Sequence, residues 1–289
     1  MTGQIAFEEI NKAKTNLDDI YNQPDPRAYC GRLRTLDYVI PEVAKPIFRK
    51  LISEVRQRRG DPVHLLDLGC SYGINAALLK YDLTITDLYE HWEAKRLAGL
   101  APQEIAERDR QYFTGLDEVD KVKVVGLDQA ESAVEYGQHV GLLDVGHAVN
   151  LEREPLAEQV KEDLKPVDLV VSTGCVGYVT EKTFERLLPA VTQGQPPWMA
   201  NFVLRLFPFT QIEETLNEGG YVTEKLQGHT FVQRRFESDR ERELMLEQLC
   251  KQGIDPTPAE AEGHLVAEFY LSRPASESNG ATIEQLVLA

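Results

Sequence analysis

Residues 65–73 read LLDLGCSYG and decide the fold. A short apolar run beginning at Val63 ends at Gly69, and the small and apolar residues after Gly73 are typical of a helix. Two glycines allow a tight turn between the strand and the helix, and they let a ligand approach the backbone closely. Asp67 precedes the first glycine by two residues and is placed to face a cationic amine. The stretch therefore predicts a strand, a turn and a helix, with a binding site at the turn.

Further apolar runs follow along the chain, and segments able to form helices separate them. They are KVKVVGLD (121–128), GHAVNLE (146–152), VDLVVST (167–173) and WMANFVLRL (198–206). Strands that alternate with helices predict a parallel sheet covered on both faces. Near the end of the chain, TFVQRRF (230–236) and HLVAEFYLS (264–272) flank one more helix and predict an antiparallel pair. The predicted fold class is α/β, with a mostly parallel seven-stranded sheet, helices on both faces and an antiparallel last strand.

Residues 1–60 predict an N-terminal helical cap, because apolar residues recur there at four-residue spacing before Gly60. Residues 61–274 form the predicted main domain, and residues 275–289 form a tail with an apolar end that suits a short helix. Residues 82–119 separate the first helix from the second strand, where a simple unit needs only a few residues. We expect this insertion to form helices that act either as a lid over the binding edge or as a surface decoration.

The charge balance limits the partners. The chain carries 31 Lys and Arg against 47 Asp and Glu, a formal net charge of −16. This excess disfavours nucleic acid and anionic membranes, so a small molecule is the expected substrate. An acidic N-terminus and the lack of a long apolar run predict a cytoplasmic protein. The four cysteines lie far apart, without metal-binding spacing, so no metal site is predicted, and the sequence leaves the oligomeric state open.

The segment DLGCSYG resembles the first motif of the class I S-adenosylmethionine (SAM) dependent methyltransferases, hhDLGCGxG, with Ser71 in place of the middle glycine. A second segment, VVGLDQAESAVEYG, is similar to the acidic strand end with which this family holds the ribose hydroxyls, and Asp128 takes the acidic position. A carboxylate can accept two hydrogen bonds from a vicinal diol. The resemblance implies a Rossmann-like fold and SAM as the cofactor, with S-adenosylhomocysteine (SAH) as the product.

The same resemblance implies the cofactor-binding residues. Gln129 would flank the adenine, and Asn150 stands where the family often has an acidic residue for the adenine amino group, with the Leu151 backbone amide sharing that task. The full set implied is Asp67, Gly69, Cys70, Ser71, Gly73, Asp128, Gln129, Asn150, Leu151 and Thr173.

The expected reaction is methyl transfer to an oxygen or nitrogen of a small molecule by in-line displacement. Holding nucleophile, methyl and sulfur collinear in a water-poor pocket supplies most of the acceleration, so a base is optional. Tyr178, after the fourth strand, and His229, before TFVQRRF, are the predicted acceptor-side groups. Tyr29 and Tyr38 of the cap either close over the cofactor or only attach the cap.

Two other functions remain open on the sequence. GCSYG also fits the nucleophile elbow G-x-S-x-G of α/β-hydrolases, with Ser71 as nucleophile and Asp168 with His229 or His264 as partners. Few residues precede the elbow, no oxyanion segment is present, and Asp128 would have no role, which all weigh against an esterase. A SAM-binding protein without catalysis is the other alternative. A dinucleotide fingerprint, G-x-G-x-x-G, fails, because Ser71 and Ile74 stand where it needs its second and third glycines.

Overall fold

The computed structural model describes Asn11 and residues 18–288, so most of the predicted cap before residue 18 lies outside the described residues. Its centre is one sheet of eight strands in the order β3-β2-β1-β4-β5-β8-β6, with β7 also paired to β8. The strands are β1 (Val63–Leu68), β2 (Val122–Asp128), β3 (Val145–Ala148), β4 (Leu169–Thr173), β5 (Trp198–Leu204), β6 (Tyr221–Lys225), β7 (Phe231–Arg235) and β8 (His264–Pro274).

The pairing confirms the predicted α/β class. Strands β1 to β5 are parallel to one another, whereas β8 runs antiparallel to its three neighbours β5, β6 and β7. Every residue of β5 is buried, as expected for a strand covered on both faces. The eighth strand is β6, which the sequence pattern did not predict, and it shares one edge of β8 with β7. The architecture is the predicted Rossmann-like fold.

Helices cover both faces of this sheet. They are α1 (Asp18–Tyr21), α2 (Arg27–Thr35), α3 (Ile40–Arg59), α4 (Ile74–Lys80), α5 (Ile85–Trp92), α6 (Pro102–Thr114), α7 (Glu131–His139), α8 (Glu158–Leu164), α9 (Glu181–Val191), α10 (Thr210–Glu218), α11 (Asp239–Lys251), α12 (Pro258–Ala261) and α13 (Ile283–Val287). A single 3-10 turn spans Lys95–Leu97.

The part of the cap that is described, residues 18–60, packs directly on the sheet. Ile20, Leu33 and Leu51 belong to the same buried cluster as the β1 and β4 residues on one face. The turn before α3 adds two backbone hydrogen bonds to β7, from Val39 N to Gln233 O at 2.9 Å and from Arg235 N to Leu36 O at 2.7 Å. The cap is therefore tied to the edge of the sheet.

The tail after Pro274 also belongs to the folded body. Glu277 accepts a hydrogen bond of 2.8 Å from Nε1 of Trp198 and pairs with Arg59 at 3.3 Å. Helix α13 lies against α3, where Lys50 Nζ donates to Val287 O at 3.2 Å. The short helix expected near the end of the chain is present.

The insertion at residues 82–119 folds around the buried carboxylate of Asp109. Its Oδ1 lies 2.7 Å from Nε2 of His91, and its Oδ2 accepts from Nε1 of Trp92 at 2.9 Å and from the hydroxyl of Tyr136 at 2.5 Å. Arg96 donates to Nδ1 of His91 at 2.9 Å, so the neutral ring donates from Nε2 to Asp109. Since Tyr136 lies on α7, this network fastens the insertion to the side of the domain.

Candidate active site

A cavity of about 730 Å³ opens at the carboxyl ends of β1, β2 and β4. Ligands of open α/β sheets bind at this end of the strands, near the point where the strand order reverses. In this sheet the reversal lies between β1 and β4. The floor comes from the turns that follow these strands, and residues of the cap, Tyr21 among them, form the roof.

The turn after β1, residues 69–73, is called the glycine turn below. Gly69 adopts a φ of 76° and Ser71 a φ of 48°, and the amides of Gly69 and Cys70 both donate to Leu127 O. A Cβ on Gly69 would lie 2.6 Å from Cβ of Cys175, so only glycine fits there. Gly69, Cys70 and Ser71 line the cavity.

Gly73 has a structural place at the end of the glycine turn. With a φ of 83° it precedes the first residue of α4, and it does not line the cavity. Its hydrogen atoms face Leu142, since an added Cβ would lie 3.0 Å from that side chain. Gly73 thus sets the start of the helix, while a bound molecule would meet the residues before it.

Asp128 ends β2 beside the glycine turn and lines the cavity. Its Oδ2 accepts the backbone N–H of Ser71 at 2.9 Å, and its Oδ1 accepts the N–H of Ala130 at 3.0 Å. Burial raises the pKa of the carboxyl, and these hydrogen bonds oppose the rise. Each oxygen keeps a further lone pair, so the carboxylate can still accept two hydroxyl groups.

Asp67 lies beneath the cavity without lining it, which corrects the expectation that it faces a ligand directly. The side chain is fully buried, and its Oδ1 accepts from Nδ2 of Asn75 at 2.9 Å. Asn75 does line the cavity and also donates to Oγ1 of Thr173 at 3.1 Å, and Thr173 lines it too. Burial raises the pKa of Asp67 to about 7. Asp67 therefore acts on the cavity through Asn75.

Gln129, Asn150 and Leu151 form one end of the cavity after β2 and β3. Nδ2 of Asn150 donates to Oε1 of Gln129 at 2.9 Å, and its Oδ1 accepts the N–H of Glu152 at 3.1 Å. The Asn150 amide is thus engaged in holding the neighbouring turn. The side-chain oxygen of Asn150 keeps a second lone pair, so it can still accept one hydrogen bond from an amino group.

The two predicted acceptor-side groups lie in different places. Tyr178 lines the cavity and is 47% exposed at its rim. His229 does not line it, because the loop between β6 and β7 carries this side chain outward from the sheet edge, exposed, with Nδ1 2.9 Å from Gln227 O. The structure therefore offers no support for His229 as an acceptor-side group.

The sequence pattern did not predict several of the lining residues. Tyr21, Gln233 and Arg234 line the cavity together with Tyr29, Tyr38 and Tyr178, and this group is called the acceptor side below. A bulge in β7 places Gln233 in the cavity wall, where the register to β8 shifts between Val232 and Arg234. No sequence pattern predicts such a bulge.

The geometry contradicts the esterase alternative. Ser71 lies at the carboxyl end of β1, whereas Asp168 precedes β4 at the opposite end of the sheet. There the Asp168 carboxylate accepts a hydrogen bond from the His64 N–H and lies 3.7 Å from the Arg59 guanidinium. His264 opens β8 with Nδ1 3.3 Å from Ala259 O, outside the cavity. No histidine lines the cavity among the described residues, so Ser71 has neither a base nor its orienting acid.

The insertion is also absent from the cavity wall. None of residues 82–119, all of which are described, lines it, since the Asp109 network holds the insertion against α7. Within the described part of the chain, no cluster of His, Cys, Asp and Glu could hold a metal, and no helix has the length and apolar character needed to cross a membrane.

Comparison with known proteins gives matches among solved structures alone, because no protein family and no curated protein matches the chain. A TehB-like SAM-dependent methyltransferase from Corynebacterium glutamicum is 14% identical, with 84% of this chain and 95% of that chain covered and a TM-score of 0.40. The plantazolicin methyltransferase BamL, solved with a triazolic desmethylPZN analog and SAH, is 11% identical, with 93% and 97% covered and a TM-score of 0.46. Streptomyces venezuelae DesVI is 12% identical, with 91% and 100% covered and a TM-score of 0.42. At sequence identities this low, neither the substrates nor the residue roles of these proteins can be assigned to this chain.

Proposed function

We propose that this chain is a SAM-dependent methyltransferase that transfers a methyl group to an oxygen or nitrogen of a small molecule. One observation carries the proposal: Asp128 and the glycine turn meet in a single cavity at the carboxyl ends of adjacent strands. The turn brings backbone close to a ligand, and the carboxylate beside it suits a vicinal diol.

The residues present fit this cofactor. Ser71 lines the cavity, and its buried hydroxyl has no hydrogen-bond partner in the described part of the chain, so a polar ligand atom would satisfy it. Oδ2 of Asp67 is also buried and has no partner among the described residues, and it lies just below the glycine turn, where a cationic group would favour the ionised carboxylate. Apolar Leu127, Val149 and Leu151 line the end beyond Asp128 and suit a purine ring.

Bound SAM would supply a methyl group on a cationic sulfur, which an acceptor attacks in line. The protein's part is to hold the two reactants collinear and to exclude water. The cap does the second task, since Tyr29 and Tyr38 are buried while lining the roof. Asp128 and the glycine turn would hold the cofactor in position for the in-line attack. Tyr178 at the rim stays our candidate for contact with the acceptor.

We further propose the cytoplasm as the compartment and a small molecule, rather than nucleic acid, as the acceptor. The net charge of −16 supports the second point, because a phosphate backbone would be repelled. A cavity roofed by the cap supports it as well, since a bulky polymer would have to displace that roof.

Calorimetric titration with SAM, SAH and NAD tests the proposal. We expect micromolar binding of SAM and SAH and none of NAD. Transfer of a labelled methyl group from SAM to compounds in a small-molecule extract then tests turnover. Failure of both sulfur ligands to bind would refute the proposed function, and binding without transfer to any acceptor would favour a SAM-binding protein without catalysis.

A further inference from the structure

Gln233 presents a free amide to the acceptor side of the cavity. The β7 bulge places it there, the residue is 6% exposed, and its side chain makes no hydrogen bond with the described residues. Gly174 makes room for the amide, since a Cβ on that glycine would lie 2.1 Å from Nε2 of Gln233. A nearly buried polar group that faces a cavity without a partner is placed to bind a ligand.

The surroundings of Gln233 offer hydrogen-bond donors. Arg234 follows it in the bulge and also lines the cavity, with its guanidinium fixed by two hydrogen bonds to Glu241, at 2.7 and 3.0 Å. Burial raises the pKa of Tyr21, with smaller opposing effects from Arg234, which lowers it, and from Asp128, which raises it. The phenols of Tyr21 and Tyr38 add hydroxyl donors on apolar rings.

This side of the cavity offers no residue that can remove a proton at neutral pH. The described lining residues include no His or Lys, and their carboxylates are Asp128, which we assign to the ribose, and Glu152. Burial raises the pKa of Cys175 and of Tyr38 to about 12 each, so both remain protonated. The Glu152 carboxylate already accepts three hydrogen bonds, two from Thr180 and one from Thr183. A protonated amine or an alcohol would therefore arrive without a base.

We propose that the acceptor is an anionic oxygen, a carboxylate or a phenolate, on an apolar or aromatic body, and that the Gln233 amide binds it. This inference rests on the proposed methyltransferase function. In the step, the anionic oxygen forms the bond to the methyl carbon, the carbon–sulfur bond breaks, and its electron pair stays on sulfur. The negative charge of the oxygen and the positive charge of the sulfur cancel, so no proton has to move.

Titration of aromatic probes into the SAH-saturated protein tests this inference. Benzoate and 4-nitrophenolate represent the two anionic sources at pH 8, and benzamide and benzylamine are the neutral and cationic counterparts. We expect at least one anion to bind, with benzamide and benzylamine weaker by about tenfold or more. Preferential binding of benzylamine or benzamide, or no binding of any probe, would overturn it. If SAH itself fails to bind, the proposed function fails first, so the two failures are distinguishable.

A pair of variants that each add one negative charge locates the site. Gln233→Glu puts a carboxylate against the anion and should weaken the anionic probe by about tenfold or more, while SAH still binds. Gln227→Glu makes the same change on the exposed loop of the same sheet edge and should leave the probe affinity unchanged. Gln233→Leu, which adds no charge, should also weaken the probe if the first variant folds poorly. Unchanged affinity in both Gln233 variants would refute the assignment.

Discussion

The backbone N–H of Ser71 donates a hydrogen bond of 2.9 Å to Oδ2 of Asp128, which joins the turn after β1 to the carboxylate that ends β2. The Ala130 N–H holds the other oxygen at 3.0 Å, so the plane of the carboxylate is fixed before any ligand arrives. Two sequence motifs separated by more than fifty residues thus form one preorganised surface.

Replacing Asp128 should weaken SAH binding sharply. Asp128→Ala removes both diol acceptors, and Asp128→Asn puts an NH₂ group opposite one of the backbone donors, so we expect affinity losses of about 10- to 100-fold in calorimetry. Asp163→Asn is the control, because that carboxylate binds His147 at 2.9 Å outside the cavity and should leave the affinity unchanged. Equal SAH affinity in all three variants would show that the ribose site is misplaced.

Gly69→Ala should abolish cofactor binding. The new Cβ would lie 2.6 Å from Cys175, and the residue would keep a left-handed φ of 76°. Gly99→Ala is a matched control, since Gly99 has a φ of 78° with open space around it and incurs only the backbone cost of about 1 kcal/mol. Urea unfolding should therefore show a clearly larger loss for Gly69→Ala. Similar losses for the two variants would mean that the glycine turn has room for a side chain.

Tyr72→Phe should loosen the cap. The Tyr72 hydroxyl accepts the Gln23 N–H at 3.0 Å and lies 2.9 Å from Gln23 O, so its loss should cost about 1–2 kcal/mol of stability. Hydrogen exchange in residues 18–38 should accelerate, and SAH should dissociate faster. Tyr221→Phe removes a buried hydroxyl that has no partner among residues 18–288 and should be neutral or slightly stabilising. A Tyr72→Phe protein with unchanged exchange in the cap would contradict this attachment.

Asp109→Asn should destabilise the domain without a direct effect on the cavity. The carboxylate takes hydrogen bonds from His91, Trp92 and Tyr136, and an amide has only one acceptor oxygen for them, so we expect a loss of about 2–4 kcal/mol in urea unfolding. SAH affinity of the folded protein should stay the same, because the insertion lies away from the cavity. Asp117→Asn, on the exposed surface of the same insertion, should change neither quantity. A large loss of SAH affinity would restore the lid interpretation.

Asp67 should make the ligand-free protein less stable as the pH rises. Its pKa is about 7 in the folded state against an ordinary value of 3.8, so folding favours the protonated form, and this stabilisation is lost as the pH rises from about 4 through 7. In Asp67→Asn that contribution disappears. The difference in unfolding free energy between the two proteins should therefore shift in favour of the variant from pH 5 to pH 8. A constant difference would show that Asp67 is ionised throughout.

The sequence predicted the sheet well because its central strands are short and mostly apolar. β1, β2, β4 and β5 are of this kind, and glycine and acidic residues at the ends of β1 and β2 marked the binding edge. β6 escaped prediction because YVTEK is short and has a single fully buried residue, which leaves a weak apolar signal.

The acceptor side was harder to predict. Gln233 enters the cavity through a bulge, and a one-residue shift of register leaves no periodic trace in sequence. His229 looked suitable because it precedes a strand, but the direction of a loop side chain depends on packing that a sequence does not state. The insertion likewise showed helical character without showing which neighbour it would pack against.

The two hydrogen bonds between the turn at residues 36–39 and β7 use the outward-facing amide and carbonyl groups of that strand. Those groups would otherwise offer a template on which the strand of another molecule could pair. The segment that roofs the cavity therefore also keeps neighbouring molecules apart, and a chain with a loosened cap would become prone to aggregation along this edge.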